Sequence, residues 1–470
     1  MLFASLTFLL GFLPFVISGA FLTRRLFGLR ACLGFLVLAS LVFYGWHYPP
    51  YVLLLVGSVL ANFLLALTIH REGRKLTLVI GVMLNLGLLG WFKYAGFFAE
   101  MLEAISGTSI GLAAIALPLG ISFFTFQQIA YLVDIYQGKA RPGDALQYAF
   151  FITFFPQLIA GPIVHHSQLI GQLSDKRFAA FRTEDVAAGA LLFCIGLAKK
   201  VLIADTLAVG ADTMFLTDSL GIPLSMAESW LGMLCYTFQI YFDFSGYTDM
   251  ALGLGLMFGL VLPENFRSPY KSQSIIEFWR CWNMTLSAFL RDYLYFPLGG
   301  NRRGPIRRYA NLWIVMLLGG LWHGAGMQFV MWGALHGLYL TVNHVWSRHL
   351  PGILPRGVGY ALTFLAVVIA WVFFRADGIG QGLSVLGAMF GNHSADALAL
   401  TIFADAPQLI VMVLFAAVLC FVAPNALQIV SGLREGPRQT VWYGLGGTLA
   451  AFALFNIYAS GSYAFIYFQF

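Results

Sequence analysis

One histidine in an apolar run has the clearest capacity for chemistry in this sequence. His323 lies in the segment GGLWHGA, residues 319–325. Burying a titratable side chain in apolar surroundings costs free energy, so such a residue is a functional candidate. Neutral imidazole accepts a proton near neutral pH, and flanking glycines let a substrate approach it closely. A structural histidine that bonds a carbonyl or caps a helix end is the alternative.

Other polar positions also lie in apolar sequence. His336 follows His323 by 13 residues. On one continuous helix that spacing separates the rings by about 220°, which favours a structural role for His336. Asp243 and Asp249 flank Tyr247 in the segment YFDFSGYTD. The two acids are predicted to pair with arginines or to orient a histidine, and whether either lines a reaction site stays open.

Most of the positive charge is concentrated in one segment. Residues 263–309 contain eight Lys and Arg against three Asp and Glu, a net of +5 in a chain of formal charge +6. Arginine suits bidentate binding of phosphate. Trp279, Trp282 and Asn283 lie within the segment, and this mixture also fits an interfacial helix along a membrane surface. The usual excess of positive charge in cytoplasmic loops would explain why the segment is basic, but not why it contains tryptophans. The basic residues are Arg267, Lys271, Arg280, Arg291, Arg302, Arg303, Arg307 and Arg308.

The composition predicts a membrane protein. The chain has 470 residues, of which 59% are hydrophobic and 10% charged, with a mean hydropathy of +0.79. Soluble domains carry about 25% charged residues. Continuous apolar runs argue against a β-barrel and for one all-α polytopic domain over residues 1–470. The five cysteines have no paired spacing, no metal motif is found, and the basic segment is too membrane-embedded to indicate nucleic acid.

Eleven to thirteen membrane segments are predicted, some of them broken or re-entrant. Arginines follow the first apolar run, which puts the N-terminus outside under the positive-inside rule. Two prolines within 145–164 predict a broken helix there. An acidic outer loop is predicted after residue 204 and a basic inner loop at Arg434, Glu435 and Arg438. The remaining predicted segments are 1–22, 31–46, 51–69, 76–98, 110–134, 186–204, 229–260, 310–330, 331–345, 358–374, 407–424 and 440–458.

At these residues the chain resembles the membrane-bound O-acyltransferase superfamily, and most closely its bacterial alginate O-acetyltransferase branch. The strings that carry the resemblance are FDFSGYTDMALGLGLMFG, LPENFRSPYKSQSIIEFWR, MTLSAFLRDYLYFPLGGNRRG, NLWIVMLLGGLWHGA and WGALHGLYL. They are dense from about 238 to 340, and the catalytic core is expected at about 229–345.

The resemblance implies roles for particular residues. The invariant histidine of the family falls on His323, the expected catalytic base. A second polar family position falls on Asn283, where the alginate branch is expected to read RRWH and this chain reads RCWN. Asparagine cannot carry a proton, so Asn283 is expected to donate a hydrogen bond or to hold substrate. The expected substrate-binding residues are Trp279, Arg280, Trp282, Arg291, Arg302, Arg303, Trp322, Asp243, Tyr247 and His336.

The resemblance also implies a reaction. Acetyl would pass from cytoplasmic acetyl-CoA, through a central tunnel across the bacterial inner membrane, directly or by a relay, to a secreted polysaccharide such as alginate or cellulose. Acetyl-CoA is the donor substrate, and no bound cofactor or metal is expected. The expected partners are a periplasmic acetyltransferase or esterase and a polysaccharide synthesis and export complex. A transporter or flippase and a non-catalytic subunit of an export complex stay open, although no inverted repeat favours a transporter.

Overall fold

The computed structural model describes residues 1–470 except 110, 113–114, 176, 181, 351, 353, 393–395, 434–438, 462 and 467–470. Within the described ranges the regular structure is helical throughout, as predicted. The predicted inner loop at Arg434, Glu435 and Arg438 lies outside the described residues.

The α-helices are α1 (Leu13–Gly45), α2 (Pro50–Glu72), α3 (Lys75–Leu89), α4 (Ala95–Ser106), α5 (Ile121–Tyr136), α6 (Ala145–Thr153), α7 (Phe155–Leu158), α8 (His166–Ile170), α9 (Thr183–Ala198), α10 (Asp205–Ser219), α11 (Met226–Met257), α12 (Ile275–Cys281), α13 (Met284–Leu290), α14 (Gly304–His323), α15 (Met327–His349), α16 (Arg356–Arg375), α17 (Ile379–Met389), α18 (Ala406–Phe421), α19 (Ala426–Leu433) and α20 (Gln439–Ser460).

Several helices can cross a bilayer. Among the described residues six are long and apolar enough, and the pair Ala406–Phe421 and Ala426–Gly432, bent by 54°, would make a seventh. The chain is therefore a multi-pass membrane protein. The six are Thr7–Gly45, Pro50–Glu72, Lys75–Ser106, Thr183–Ser219, Arg356–Arg375 and Gln439–Ala459. Length and composition alone do not count broken or re-entrant segments, so the total of eleven to thirteen stays a prediction, as do the central tunnel and the single domain.

The chain divides into two compact units. The first comprises Met1–Ile195, Tyr247–Glu264 and Leu433–Ser460, and the second comprises Gly196–Gly246, Asn265–Gly432 and Gly461–Phe470. His323 and Asn283 lie in the second unit. The basic segment lies there too, except for the first two residues of the segment, Pro263 and Glu264. The first unit contains most of the N-terminal apolar runs.

The first unit begins with a helical hairpin. α1 reverses direction at Gly28, whose φ of 83° suits glycine. The amino group of Met1 donates to the carbonyl oxygen of Phe43 at 2.8 Å, so the runs predicted at 1–22 and 31–46 pack against each other.

Prolines and glycines break the helices that follow in this unit. α6 ends at Thr153, Phe154 is non-helical (φ −51°, ψ 110°), and α7 begins directly after it with Pro156 in its first turn. Residues on both sides of the break are buried, so the predicted broken helix is confirmed. Among the described residues of the run predicted at 110–134, the helix begins at Ile121, directly after Gly120 with its φ of 71°.

In the second unit, the prediction of an acidic loop directly after residue 204 is wrong. A π-helical segment, Lys199–Ala204, continues α9 into α10, which contains Asp205, Asp212 and Asp218, and the fourth acid of the predicted loop, Glu228, lies in α11. Asp212 forms an ion pair with Arg375 at 2.9 Å, and the hydroxyl of Ser384 donates to Asp218 at 2.7 Å. The acidic side chains of α10 are therefore bound by residues that are distant in sequence, and the segment is a helix and not an exposed loop.

Candidate active site

His323 is the last residue of α14, at the turn of a helical hairpin. The backbone of Gly324 and Gly326 is extended, and α15 begins directly afterwards at Met327. The continuous apolar sequence from 310 to 345 therefore forms two helices that reverse direction beside His323.

The two helices of the hairpin approach closely at glycines. A Cβ at Gly333 would meet the carbonyl oxygen of Met316, and one at Gly320 would meet the carbonyl oxygen of Phe329. Backbone atoms cannot move aside as a flexible side chain can, so small residues are required at this interface. The close packing fixes His323 relative to the side chains of α15.

Aromatic rings surround the imidazole of His323. The side chain is 3% exposed, and its ring centroid lies 4.9 Å from Trp322, 5.0 Å from Trp332 and 5.0 Å from Phe374. The interplanar angles of 68–82° are those of edge-to-face contacts. Such surroundings keep water away from the ring.

His336 lies against the same indole as His323, which corrects the angular argument. The ring of Trp332 is 5.0 Å from His323 and 4.7 Å from His336. The angle of about 220° holds only for one continuous helix. The chain instead reverses at Gly324, so His336 lies on α15 and His323 on α14. Nδ1 of the fully buried His336 is 3.2 Å from Nε1 of Trp279, which donates to it.

α12 adds two tryptophans to these rings. Trp279 lies 5.7 Å from Trp332, and Trp282 lies 5.0 Å from Trp371 of α16. Trp282 is 1% exposed and stacks on Phe278, so its side chain packs inside the protein, and the interfacial helix stays a prediction. We call the following set the aromatic cluster: Trp279, Trp282, Trp322, Trp332, Trp371 and Phe374.

Asn283 has an unusual backbone conformation next to the aromatic cluster. It follows Trp282 with φ 41° and ψ 55°, in the left-handed region, and is 2% exposed. Asparagine and histidine are among the side-chain-bearing residues enriched there, so the residue found and the one expected from the resemblance both suit the backbone. Nδ2 of Asn283 has no hydrogen-bond partner within the described part of the chain.

Asp243 belongs to a separate buried ion cluster, not to the basic segment or to a histidine. Nζ of Lys200 lies 3.1 Å from Asp243 and also pairs with Asp205. The other oxygen of Asp243 accepts a hydrogen bond from the backbone nitrogen of Ile466 at 2.7 Å. The prediction that Asp243 pairs with the arginines of the basic segment is wrong, because Lys200 is its cation.

Tyr247 lies in the first unit, as does Asp249. The tyrosine is 5% exposed, and its ring stacks on Phe3 at 4.7 Å. Its predicted contact with substrate stays a prediction.

The arginines predicted to bind substrate are on the surface. Arg280, Arg302 and Arg303 are exposed. Arg291 is also exposed, and its guanidinium binds both carboxylate oxygens of Asp292 at 2.7 and 3.0 Å. Arg291 is therefore partly neutralised, whereas the other three present their charge to solvent.

A tight turn positions two of these arginines at the start of α14. Gly299 and Gly300 have φ values of 104° and 55°, which favour glycine. Nδ2 of Asn311 donates to the carbonyl oxygen of Gly300 at 2.9 Å and so ties the turn to α14. Arg303 directly precedes the 20-residue helix that ends at His323. About 30 Å of helix therefore separates the two.

Sequence reasoning missed Lys200, Trp332 and Trp371. Lys200 could have been found because a lysine stands inside the apolar run 186–204. Trp332 could have been found because it precedes His336 by four residues, a spacing that brings two side chains together on a helix. No local signal marks Trp371, because only tertiary packing brings α16 to this position.

A known protein family matches the part of the chain that contains this site. The family model of MBOAT, membrane-bound O-acyltransferase family, matches residues 136–379. The chain belongs to this family. Membership makes it an acyltransferase, and the resemblance noted from the motifs is confirmed.

Similar proteins of the family include enzymes named for O-acetylation. A peptidoglycan O-acetyltransferase of Helicobacter pylori is 44% identical over 413 residues, which cover 81% of this chain and 77% of that protein. A probable alginate O-acetylase of Pseudomonas putida is 42% identical over 401 residues, which cover 83% and 80%. A teichoic acid D-alanyltransferase of Bacillus subtilis is 28% identical over 271 residues, which cover 54% and 66%.

Proposed function

We propose that this chain is an O-acetyltransferase of the bacterial inner membrane that takes acetyl from cytoplasmic acetyl-CoA and passes it to a secreted polysaccharide. The observation that carries the proposal is the buried imidazole of His323 among aromatic rings, in a chain whose relatives are named for O-acetylation. Exclusion of water protects a thioester from hydrolysis and strengthens electrostatic interactions.

His323 acts as the general base. Its imidazole accepts the proton of the attacking hydroxyl, which belongs either to the polymer or to the periplasmic partner that relays acetyl to the polymer, while the hydroxyl oxygen attacks the carbonyl carbon of the thioester. A C–O bond forms and the C–S bond breaks. Coenzyme A leaves as a thiolate and takes the proton from the imidazolium, so the products are an acetyl ester and a free thiol. Asn283, whose Nδ2 has no partner among the described residues, holds the substrate or polarises its carbonyl.

The acceptor is a hydroxyl-bearing polysaccharide outside the inner membrane. The names of two relatives specify alginate in one case and peptidoglycan in the other, which supports this class but selects no single polymer. Because the polymer lies outside, a periplasmic acetyltransferase or esterase completes the transfer beside a polysaccharide synthesis and export complex. The positive-inside rule supports an outer N-terminus.

The proposal is tested by supplying labelled acetyl-CoA to the cytoplasmic face of membranes that contain the chain, its partner and the polymer. Label is expected in alkali-labile esters of the polymer, and only where the chain is present. Label that appears equally without the chain would rule the proposal out.

Arg302 and Arg303 are expected to bind the phosphates of coenzyme A. They are exposed at the end of α14 opposite His323, as a long donor with phosphates at one end and a thioester at the other requires. A hydrogen bond to a charged group contributes about 1.5–3 kcal/mol. Replacement of both arginines by alanine should therefore raise the KM for acetyl-CoA about tenfold or more with little change in kcat.

The matched control is Arg356→Ala, another exposed arginine at the start of a helix of the same unit. Added salt should weaken donor binding by the parent chain and by Arg356→Ala, but affect the double variant less. A KM for the double variant within twofold of that of the control would show that these arginines do not bind the donor.

A further inference from the structure

Two buried N–H groups lie next to His323 without an acceptor. Nε1 of Trp332 and Nε2 of His336 have no hydrogen-bond partner among the residues that the structure describes. Trp332 is 1% exposed and His336 is 0% exposed, so solvent does not satisfy them. Buried polar groups in proteins are nearly always hydrogen-bonded, and an exception calls for an explanation such as a ligand.

The proton of His336 can be assigned from its neighbour. An indole N–H donates and cannot accept. Nε1 of Trp279 lies 3.2 Å from Nδ1 of His336, so Nδ1 is the acceptor. A neutral imidazole then carries its proton on Nε2, and the uncharged aromatic rings around it favour the neutral form. His336 is thereby fixed as a donor through Nε2.

The rings that carry the two donors are neighbours. The rings of Trp332 and His336 are 4.7 Å apart, and Trp332 is also 5.0 Å from the ring of His323. An acceptor atom bound by Trp332 would therefore lie close to the imidazole proposed as the base, and His336 is near enough to Trp332 to share that acceptor. In the proposed reaction, the one oxygen that gains negative charge next to that base is the carbonyl oxygen of the acyl group.

We propose that Trp332 and His336 form the binding site for the acyl carbonyl oxygen. The inference rests on the proposed function. When the hydroxyl oxygen attacks, the electron pair of the C=O double bond moves to this oxygen, and the two N–H groups stabilise the resulting charge. The pair then returns as the C–S bond breaks. Donors that are already oriented in a dry site stabilise the transition state more than the ground state.

Two replacements of His336 provide a matched test. The amide nitrogen of glutamine can reach the position of Nε2, whereas that of asparagine lies near Nδ1. We expect His336→Asn to lower kcat about tenfold or more while the KM for acetyl-CoA changes less than twofold. His336→Gln should retain kcat within about threefold of the parent chain. A merely structural histidine would not distinguish the two amides in this way.

Trp332→Phe tests the second donor, because it removes the N–H and keeps an aromatic ring. We expect kcat to fall about tenfold or more. The control is Trp371→Phe in the same cluster, since the N–H of Trp371 already donates to the hydroxyl of Tyr270 at 3.3 Å. Its kcat should stay within about threefold.

Equal kcat values for the two His336 variants, or for Trp332→Phe and Trp371→Phe, would overturn the donor-pair proposal. If the asparagine variant fails to fold in detergent, the tryptophan pair decides. Failure of the proposed function gives a different result, because the folded parent chain would then release no coenzyme A thiol from acetyl-CoA in the presence of acceptor and partner.

Discussion

Replacement of His323 by alanine is expected to lower the acetyl ester content of the exported polymer about 100-fold or more. Proton transfer by a positioned side chain contributes about 10²–10⁴ to the rate. The ring is buried against Trp322, Trp332 and Phe374, so solvent water is kept from the place where another base would act. The measurement is the amount of ester released by alkali from polymer made in cells that carry only the variant.

The matched control is His349→Ala, which removes an exposed histidine at the other end of the same helical hairpin. This variant should retain acetylation within about twofold, and both variants should reach parental amounts in the membrane. Parental acetylation by a stably folded His323→Ala chain would remove His323 as the base. It would favour the reading of the chain as a non-catalytic subunit of an export complex.

Replacement of Lys200 by methionine is expected to lower the free energy of unfolding by about 3–5 kcal/mol, the usual cost of removing one partner from a buried ion pair. Lys200, Asp205 and Asp243 are 5%, 8% and 2% exposed. Without the lysine, two carboxylates face each other in a dry environment. Denaturant titration of the purified chain in detergent measures the change.

Two comparisons show whether burial of charge causes this loss. Removal of the exposed pair between Arg30 and Asp144 by Arg30→Ala should cost less than about 1 kcal/mol. Adding Asp205→Asn and Asp243→Asn to Lys200→Met should recover part of the lost stability, because no unpaired charge remains. A loss below 1 kcal/mol for Lys200→Met alone would mean that the cluster is not an important source of stability.

Membrane helices with a long apolar run could be predicted from sequence. The runs predicted at 358–374 and 440–458 agree closely with α16 and α20, two of the helices long and apolar enough to cross a bilayer. The run at 407–424 agrees with α18, the first half of the bent pair, and the run at 229–260 agrees with α11, which is not among those helices. Hydropathy succeeds here because burial in lipid depends on the local average of the sequence. The broken helix over 145–164 could be predicted for a similar reason, since proline acts on its own backbone.

Features that depend on remote partners could not be predicted. Lys200 falls inside the predicted segment 186–204, and Asp205 falls in the loop predicted after it. Only the fold shows that the two form a buried ion cluster with Asp243. His323 and His336 are assigned to different faces on the assumption of one continuous helix, whereas the chain breaks at Gly324, earlier than the boundary predicted between 310–330 and 331–345. Asn283 could be identified as a site candidate from its motif, but its left-handed backbone could not.

The central claim is that this chain transfers acetyl from acetyl-CoA with His323 as the base. The most direct test is the release of coenzyme A thiol by the purified chain in lipid nanodiscs, with its periplasmic partner and a soluble oligosaccharide acceptor. The account predicts that thiol and acetyl ester form in equal amounts, and that His323→Ala lowers both rates about 100-fold or more. Equal rates for the parent chain and a folded His323→Ala variant, or no thiol release by the folded parent chain, would contradict it.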